Sequence, residues 1–149
     1  MIFLEFRNQL FDLACFNIYQ VYAWQPEVAV QIISVTSLKT ASFSNGIGEY
    51  SYHSVKENLL FGYELKPMAD NRTIQFATPE KALLDLLYLY PFYDSEQELE
   101  ELRLDEDYLN DDLNKDLLME YCEKFESKAL YQRVKLFLKV YGLWYGLDR

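Results

Sequence analysis

The sequence predicts an α+β domain: a mostly antiparallel sheet of about five strands, with a following set of helices packed on one face. Three observations lead there. From Val28 to Ala77 the chain is β-branched, aromatic and punctuated by turn residues, whereas on both sides of that zone apolar residues recur at helical spacing. The strands come as a run and the helices follow, instead of alternating with them. Finally, 149 residues, 50% of them hydrophobic and only nine of them glycine or proline, suffice for one filled core, and neither a repeat nor a linker divides them. Residues 1–149 therefore read as a single domain.

In chain order, residues 5–23 favour a helix, because Leu10, Leu13, Ala14, Asn17 and Val21 repeat at helical spacing and Pro26 stops the pattern. Val28 to Thr36 reads as a well-buried strand. Thr40 to Phe43 and Glu49 to Val55 flank Asn45-Gly46-Ile47-Gly48, a hairpin turn whose Asn and Gly tolerate positive φ. Leu59 to Leu65 and Thr73 to Ala77 flank a second turn, Ala69-Asp70-Asn71-Arg72. The alternation in Tyr50-Ser51-Tyr52-His53 suggests one covered and one wet sheet face.

The helices begin at Thr78-Pro79-Glu80-Lys81-Ala82-Leu83-Leu84-Asp85. Thr78 is suited to accept a hydrogen bond from an orphan backbone donor. Pro79 at the first position gives up only an N–H that had no partner, and Glu80 favours the positive helix end. Leucines then lie on nearly every side, while Lys81 and Asp85, one turn apart, are the only charges beyond the first turn. Such a helix, residues 79–90, is buried on most faces, with a narrow polar strip left for a pair or a partner. Pro91 forces a turn. Ser95 is an N-cap for Glu96 to Leu102, and Asp112 or Asn114 for a helix ending near Phe125. Ser127 opens a last helix with Leu130, Val134, Phe137, Leu138 and Tyr141 on its inner stripe and Lys128, Gln132, Lys135 and Lys139 opposite.

Charge narrows the function. The net charge is −10, and residues 91–112 hold ten acids against Arg103 alone. So acidic a chain is a poor general binder of nucleic acid, whose affinity comes from Lys and Arg. The acidic block is expected to face solvent, a basic neighbour in the fold or a basic partner, with Glu96, Glu98, Glu100 and Glu101 as one candidate surface and Lys128, Lys135 and Lys139 as another. Cys15 and Cys122 lie far apart, without metal spacing, and read as reduced thiols of a cytoplasmic protein. The N-terminus is not a secretory signal, and no segment reaches the roughly 18 uncharged apolar residues of a membrane span.

Enzyme signatures are sparse. His53 is the only histidine, which argues against a catalytic triad or a multi-histidine metal site. The acidic stretch lacks the glycine and alternate oxygen ligands of a calcium loop, and Asn45-Gly46-Ile47-Gly48 lies inside a hairpin, not between a strand and a helix. The tyrosines have few bases beside them, as core-filling residues do. One arrangement keeps an enzymatic alternative open: Glu49, Glu64 and Lys66 loosely match the acid plus E-x-K pattern of metal-dependent nucleases, in which acids hold Mg²⁺ and a lysine steadies the transition state. Solvated strand ends explain the same residues.

Several segments together carry a family resemblance: Gln25-Pro26-Glu27-Val28, Ile33-Ser34-Val35-Thr36, Gly48-Glu49-Tyr50-Ser51-Tyr52, Leu60-Phe61-Gly62-Tyr63-Glu64 and, most specifically, Ala77-Thr78-Pro79-Glu80-Lys81-Ala82-Leu83-Leu84-Asp85. In order and spacing, over about residues 12–145, they resemble the AbiEi family of bacterial antitoxins. The resemblance implies a cytoplasmic, non-enzymatic antitoxin without a cofactor. Its counterpart would be a nucleotidyltransferase toxin, as in AbiE-type abortive infection and phage defence. Members typically carry an N-terminal winged helix that binds the operon's promoter. Here only about ten residues precede the matching region, so promoter binding is not expected of this chain. Ile18 and Ala23 also depart from the family's usual Ala and Gly. A stand-alone interaction module or regulator is the third reading.

Overall fold

The computed structural model describes residues 30–44, 48–67, 71, 73–104 and 106–143. The predicted helix of residues 5–23, with Cys15, Tyr19 and Tyr22, lies outside them. The described strands are β1 (Val30–Thr36), β2 (Ala41–Ser44), β3 (Gly48–Ser54), β4 (Tyr63–Pro67) and β5 (Thr73–Ala77). They are followed by α1 (Pro79–Leu89), α2 (Glu96–Glu101), α3 (Glu106–Asp112), α4 (Lys115–Lys124) and α5 (Lys128–Val140). The class is α+β, strands first and helices after.

The strands do not form one sheet. β1, β3 and β2 make a three-stranded sheet in that order, and β4 with β5 makes a separate antiparallel ribbon. Both predicted hairpins are present: β2 pairs antiparallel with β3, and β4 with β5. The expected antiparallel pairing fails at β1, which pairs with β3 in parallel, Ile32 opposite Tyr50 and Ser34 opposite Tyr52. Two chain reversals after β1 return β3 to its direction. The tight hairpin already occupies one edge of β3, so β1 takes the other. β4 also starts later than expected. Glu57–Leu59 forms a 3₁₀ turn and Gly62 takes φ +72°, so extended backbone resumes only at Tyr63.

The helices pack chiefly on one another, not as a layer across a sheet face. α1 lies against α4, α5 and the end of β5, and α2 against α5. Leu83, Leu84, Leu87, Leu99, Leu118, Leu130, Val134 and Phe137 fill the interior, with Val55 and Leu59 joining from the strand zone. At roughly 1.5–3 kcal/mol for each large apolar side chain, this cluster is the main favourable contribution to folding. The sheet is too small to cover five helices, so they bury their stripes mutually.

Local chemistry sets the helix limits. Thr78, Ser95, Asn114 and Ser127 each accept a backbone N–H as N-caps of α1, α2, α4 and α5. Asn114, not Asp112, caps α4, because Asp112 closes α3. The sequence reading did not anticipate α3, a short acidic helix with Leu109 as its inward anchor. Arg103, Glu126 and Gly142 stop α2, α4 and α5 in the left-handed region, at φ 47°, 51° and 63°. Among the described residues no helix is long and apolar enough to cross a membrane.

Candidate functional site

The motif from Thr78 to Asp85 lies at the centre of the molecule. Every residue from Glu80 to Leu87 is buried. Thr78 Oγ1 accepts the Lys81 N–H at 3.4 Å, and the Thr78 N–H donates to the Gly62 carbonyl at 2.8 Å, tying the helix start to the entry of β4. The Glu80 carboxylate accepts the Asn114 N–H at 2.7 Å. One acid on α1 thus fixes the first residue of the α4 cap, where negative charge is favourable.

Lys81 and Asp85 form a salt bridge within the core, with only 1% and 4% of each residue exposed. The ammonium lies 5.1 Å from the ring centres of both Phe61 and Phe125. These π faces supply negative potential where water cannot. Asp85 is less well served. One carboxylate oxygen takes the Lys81 hydrogen bond; the other, Oδ2, is buried and has no hydrogen-bond partner. Burial pushes the Asp85 carboxyl from 3.8 up to about 6, and the charge and hydrogen bond of Lys81 offset only part of that. The predicted polar strip is therefore an internal pair.

Of the segments of the resemblance, Gln25 to Val28 lies outside the described residues, and the other four meet in two pairs. Ser34-Val35-Thr36 on β1 runs beside Tyr52-His53-Ser54 on β3. Phe61 and Gly62 close over Lys81: a Cβ on Gly62 would come within 3.0 Å of the Lys81 Cβ and 2.8 Å of Tyr121 Cε2. Phe61 also stands edge-on to Tyr121 and Phe125. Sequence reasoning missed the aromatic box and the Glu80–Asn114 link, since both depend on residues far away in the chain.

The two charged candidate surfaces meet. Glu96 and Glu100 are exposed on α2, as is Glu101. Glu98 is tied to the N-cap, its carboxylate accepting the Ser95 hydroxyl at 3.0 Å while its own N–H donates to Ser95 Oγ at 3.3 Å. The Lys139 ammonium reaches Glu96 at 3.0 Å, in the open. Lys128 is exposed, and Lys135 lies 5.8 Å from the Tyr131 ring. Part of the acidic block thus faces a basic neighbour in the same fold. Tyr141 braces this junction, donating to the Leu99 carbonyl at 2.8 Å and accepting the Leu104 N–H at 3.4 Å.

The pairing of strands does not gather the nuclease candidates. Glu49 is on β3 and Glu64 on β4, in different sheets, and the Lys66 side chain lies outside the described residues. Among the described residues no group of three or more His, Cys, Asp or Glu could hold a metal ion. His53 is half-buried, edge-on to Tyr90, with its Nε2 3.5 Å from the Tyr90 hydroxyl; burial holds it below its usual value. Cys122 is a buried thiol, pushed up to about 11 by burial and by Glu123. Of the tyrosines expected to fill the core, Tyr50 and Tyr52 are buried, and Tyr88 and Tyr90 pack against it partly buried.

Compared with known proteins, the chain matches no family model, no curated protein and no solved structure.

Proposed function

We propose that this chain is a cytoplasmic, AbiEi-like antitoxin that counters a nucleotidyltransferase toxin without catalysis of its own. One observation carries the reading. Two segments of the resemblance, Leu60 to Glu64 and Ala77 to Asp85, touch as one unit, through the Thr78–Gly62 hydrogen bond and the Phe61–Lys81 contact. Their contact supports treating the two segments as one structural unit of the proposed antitoxin fold. Within this unit Thr78, Glu80, Lys81 and Asp85 are engaged with the fold itself, so they serve as its scaffold. Antagonism would then fall to the surface, with the acidic face of α2 as the first candidate.

The experiment is co-expression with the nucleotidyltransferase encoded nearest to this gene. The expected result is restored growth by the native chain and reduced rescue, at equal protein level, when Glu96, Glu98, Glu100 and Glu101 become Gln. No rescue by the native chain would remove the antitoxin reading. Equal rescue by both would move the working surface to Lys128, Lys135 and Lys139. With a net charge of −10 the chain should show no specific complex in a gel shift with the upstream DNA, and incubation with DNA or RNA and Mg²⁺ should show no cleavage dependent on Glu64.

A further inference from the structure

The turn between α1 and α2 carries an aromatic strip that Tyr90 and Tyr93 anchor on the core and Phe92 opens to solvent. Pro91 ends the helix, the Tyr93 N–H donates to the Tyr90 carbonyl at 3.2 Å, and the Asp94 N–H to that of Phe92 at 2.8 Å. This tight backbone sets Phe92 and Tyr93 ring against ring, 4.3 Å between centres. Tyr90 stands edge-on to Phe92 at 6.0 Å, and His53 edge-on to Tyr90 at 5.9 Å. Phe92, at the middle of the strip, leaves 53% of its surface in solvent. A lone exposed phenylalanine is ordinary, but a continuous strip of rings held by a rigid turn is not.

The surroundings specify an occupant. Residues 91–102 contain Asp94, Glu96, Glu98, Glu100 and Glu101 and no Lys or Arg. Glu101 and Glu98 lie close enough to add to burial in raising the Tyr93 hydroxyl above its usual value. Burial holds His53 below its usual value, which disfavours a competing positive charge beside the strip. π faces beside carboxylates complement a planar cation that can stack and donate hydrogen bonds at once, and the guanidinium group does both. Aromatic and arginine side chains also dominate the binding energy of protein interfaces.

We propose that the strip Tyr90–Phe92–Tyr93, rimmed by Glu98 and Glu101, docks an arginine-bearing segment of a partner protein. This goes beyond the antitoxin reading and does not depend on it, because no toxin enters the argument.

The test uses the full chain and two labelled dodecapeptides, one alternating arginine with glycine and one alternating lysine with glycine, followed by fluorescence anisotropy. Equal charge makes their long-range attraction alike, so the difference reports what the guanidinium adds, stacking together with paired hydrogen bonds. The arginine peptide should bind about fivefold more tightly than the lysine peptide. Phe92→Ala should abolish that preference, and Phe92→Leu, which keeps apolar bulk and lacks a π face, should do the same with an unchanged melting temperature. Glu98→Gln with Glu101→Gln should weaken both peptides, the arginine peptide more. Equal affinity for the two peptides, absence of binding at millimolar concentration, or an unaltered preference in Phe92→Leu would each overturn the proposal. So would a concentration-dependent dimer in sedimentation that Phe92→Ala disperses, since a second copy would then be the occupant.

Discussion

At the scale of single residues, Asp85 is the most consequential side chain. Its carboxyl protonates at about 6 in the fold against 3.8 unfolded, so the folded state holds the proton more tightly. Its favourable contribution is therefore complete below the unfolded value and is lost as pH rises through about 6. Asp85→Asn keeps the shape and removes the titration. Relative to that variant, wild type should lose roughly 1–3 kcal/mol of stability between pH 4 and pH 7, as read from urea unfolding. A difference independent of pH would mean that Lys81 keeps Asp85 ionised throughout. Gly62 makes the second residue-scale prediction. Gly62→Ala would place a methyl group at positive φ and against Lys81 and Tyr121. It should cost roughly 1–3 kcal/mol, more than the usual effect of a glycine change in a loop. A neutral result would show that the Lys81 stem can shift.

At the scale of elements, α1 is the piece around which the helices assemble, and two substitutions separate its roles. Leu83 is almost wholly enclosed. Leu83→Ala should cost roughly 2–5 kcal/mol through lost burial and the cavity left behind. Glu80→Ala removes the acceptor for the Asn114 N–H, with an expected cost of roughly 1–3 kcal/mol, whereas Glu80→Gln retains an acceptor oxygen and should cost less. The ordering of these variants in chemical denaturation is the check. If Glu80→Ala and Glu80→Gln are equally mild, the α1–α4 link is incidental to stability.

For the whole molecule, charge is the governing quantity. Ten acids within residues 91–112 repel one another, and the exposed Glu96–Lys139 pair, worth about 0–1 kcal/mol, offsets little of this. Raising ionic strength from about 10 mM to 150 mM shortens the screening length from roughly 30 to 8 Å, so relief of repulsion should outweigh loss of the pair. The melting temperature should rise over that range. A fall would mean that exposed ion pairs, not repulsion, dominate the surface energy.

What the sequence determined by itself is local. The caps Thr78, Ser95 and Ser127, the two hairpins, and the two faces of the last helix follow from interactions within a few residues, so the residue types suffice to reveal them. The same holds for the order of strands before helices, and for α1 as a helix apolar on nearly every side. What only the tertiary structure decided depends on partners distant in the chain. The parallel pairing of β1 with β3 arises because the hairpin leaves only one edge of β3 open. The division into two sheets follows from the irregular backbone between Val55 and Gly62. The fate of Lys81 and Asp85 required Phe61 from before β4 and Phe125 from beyond α4, which close over the pair and shut out water. Pattern showed that two charges shared one helix face; only packing could make that face the interior.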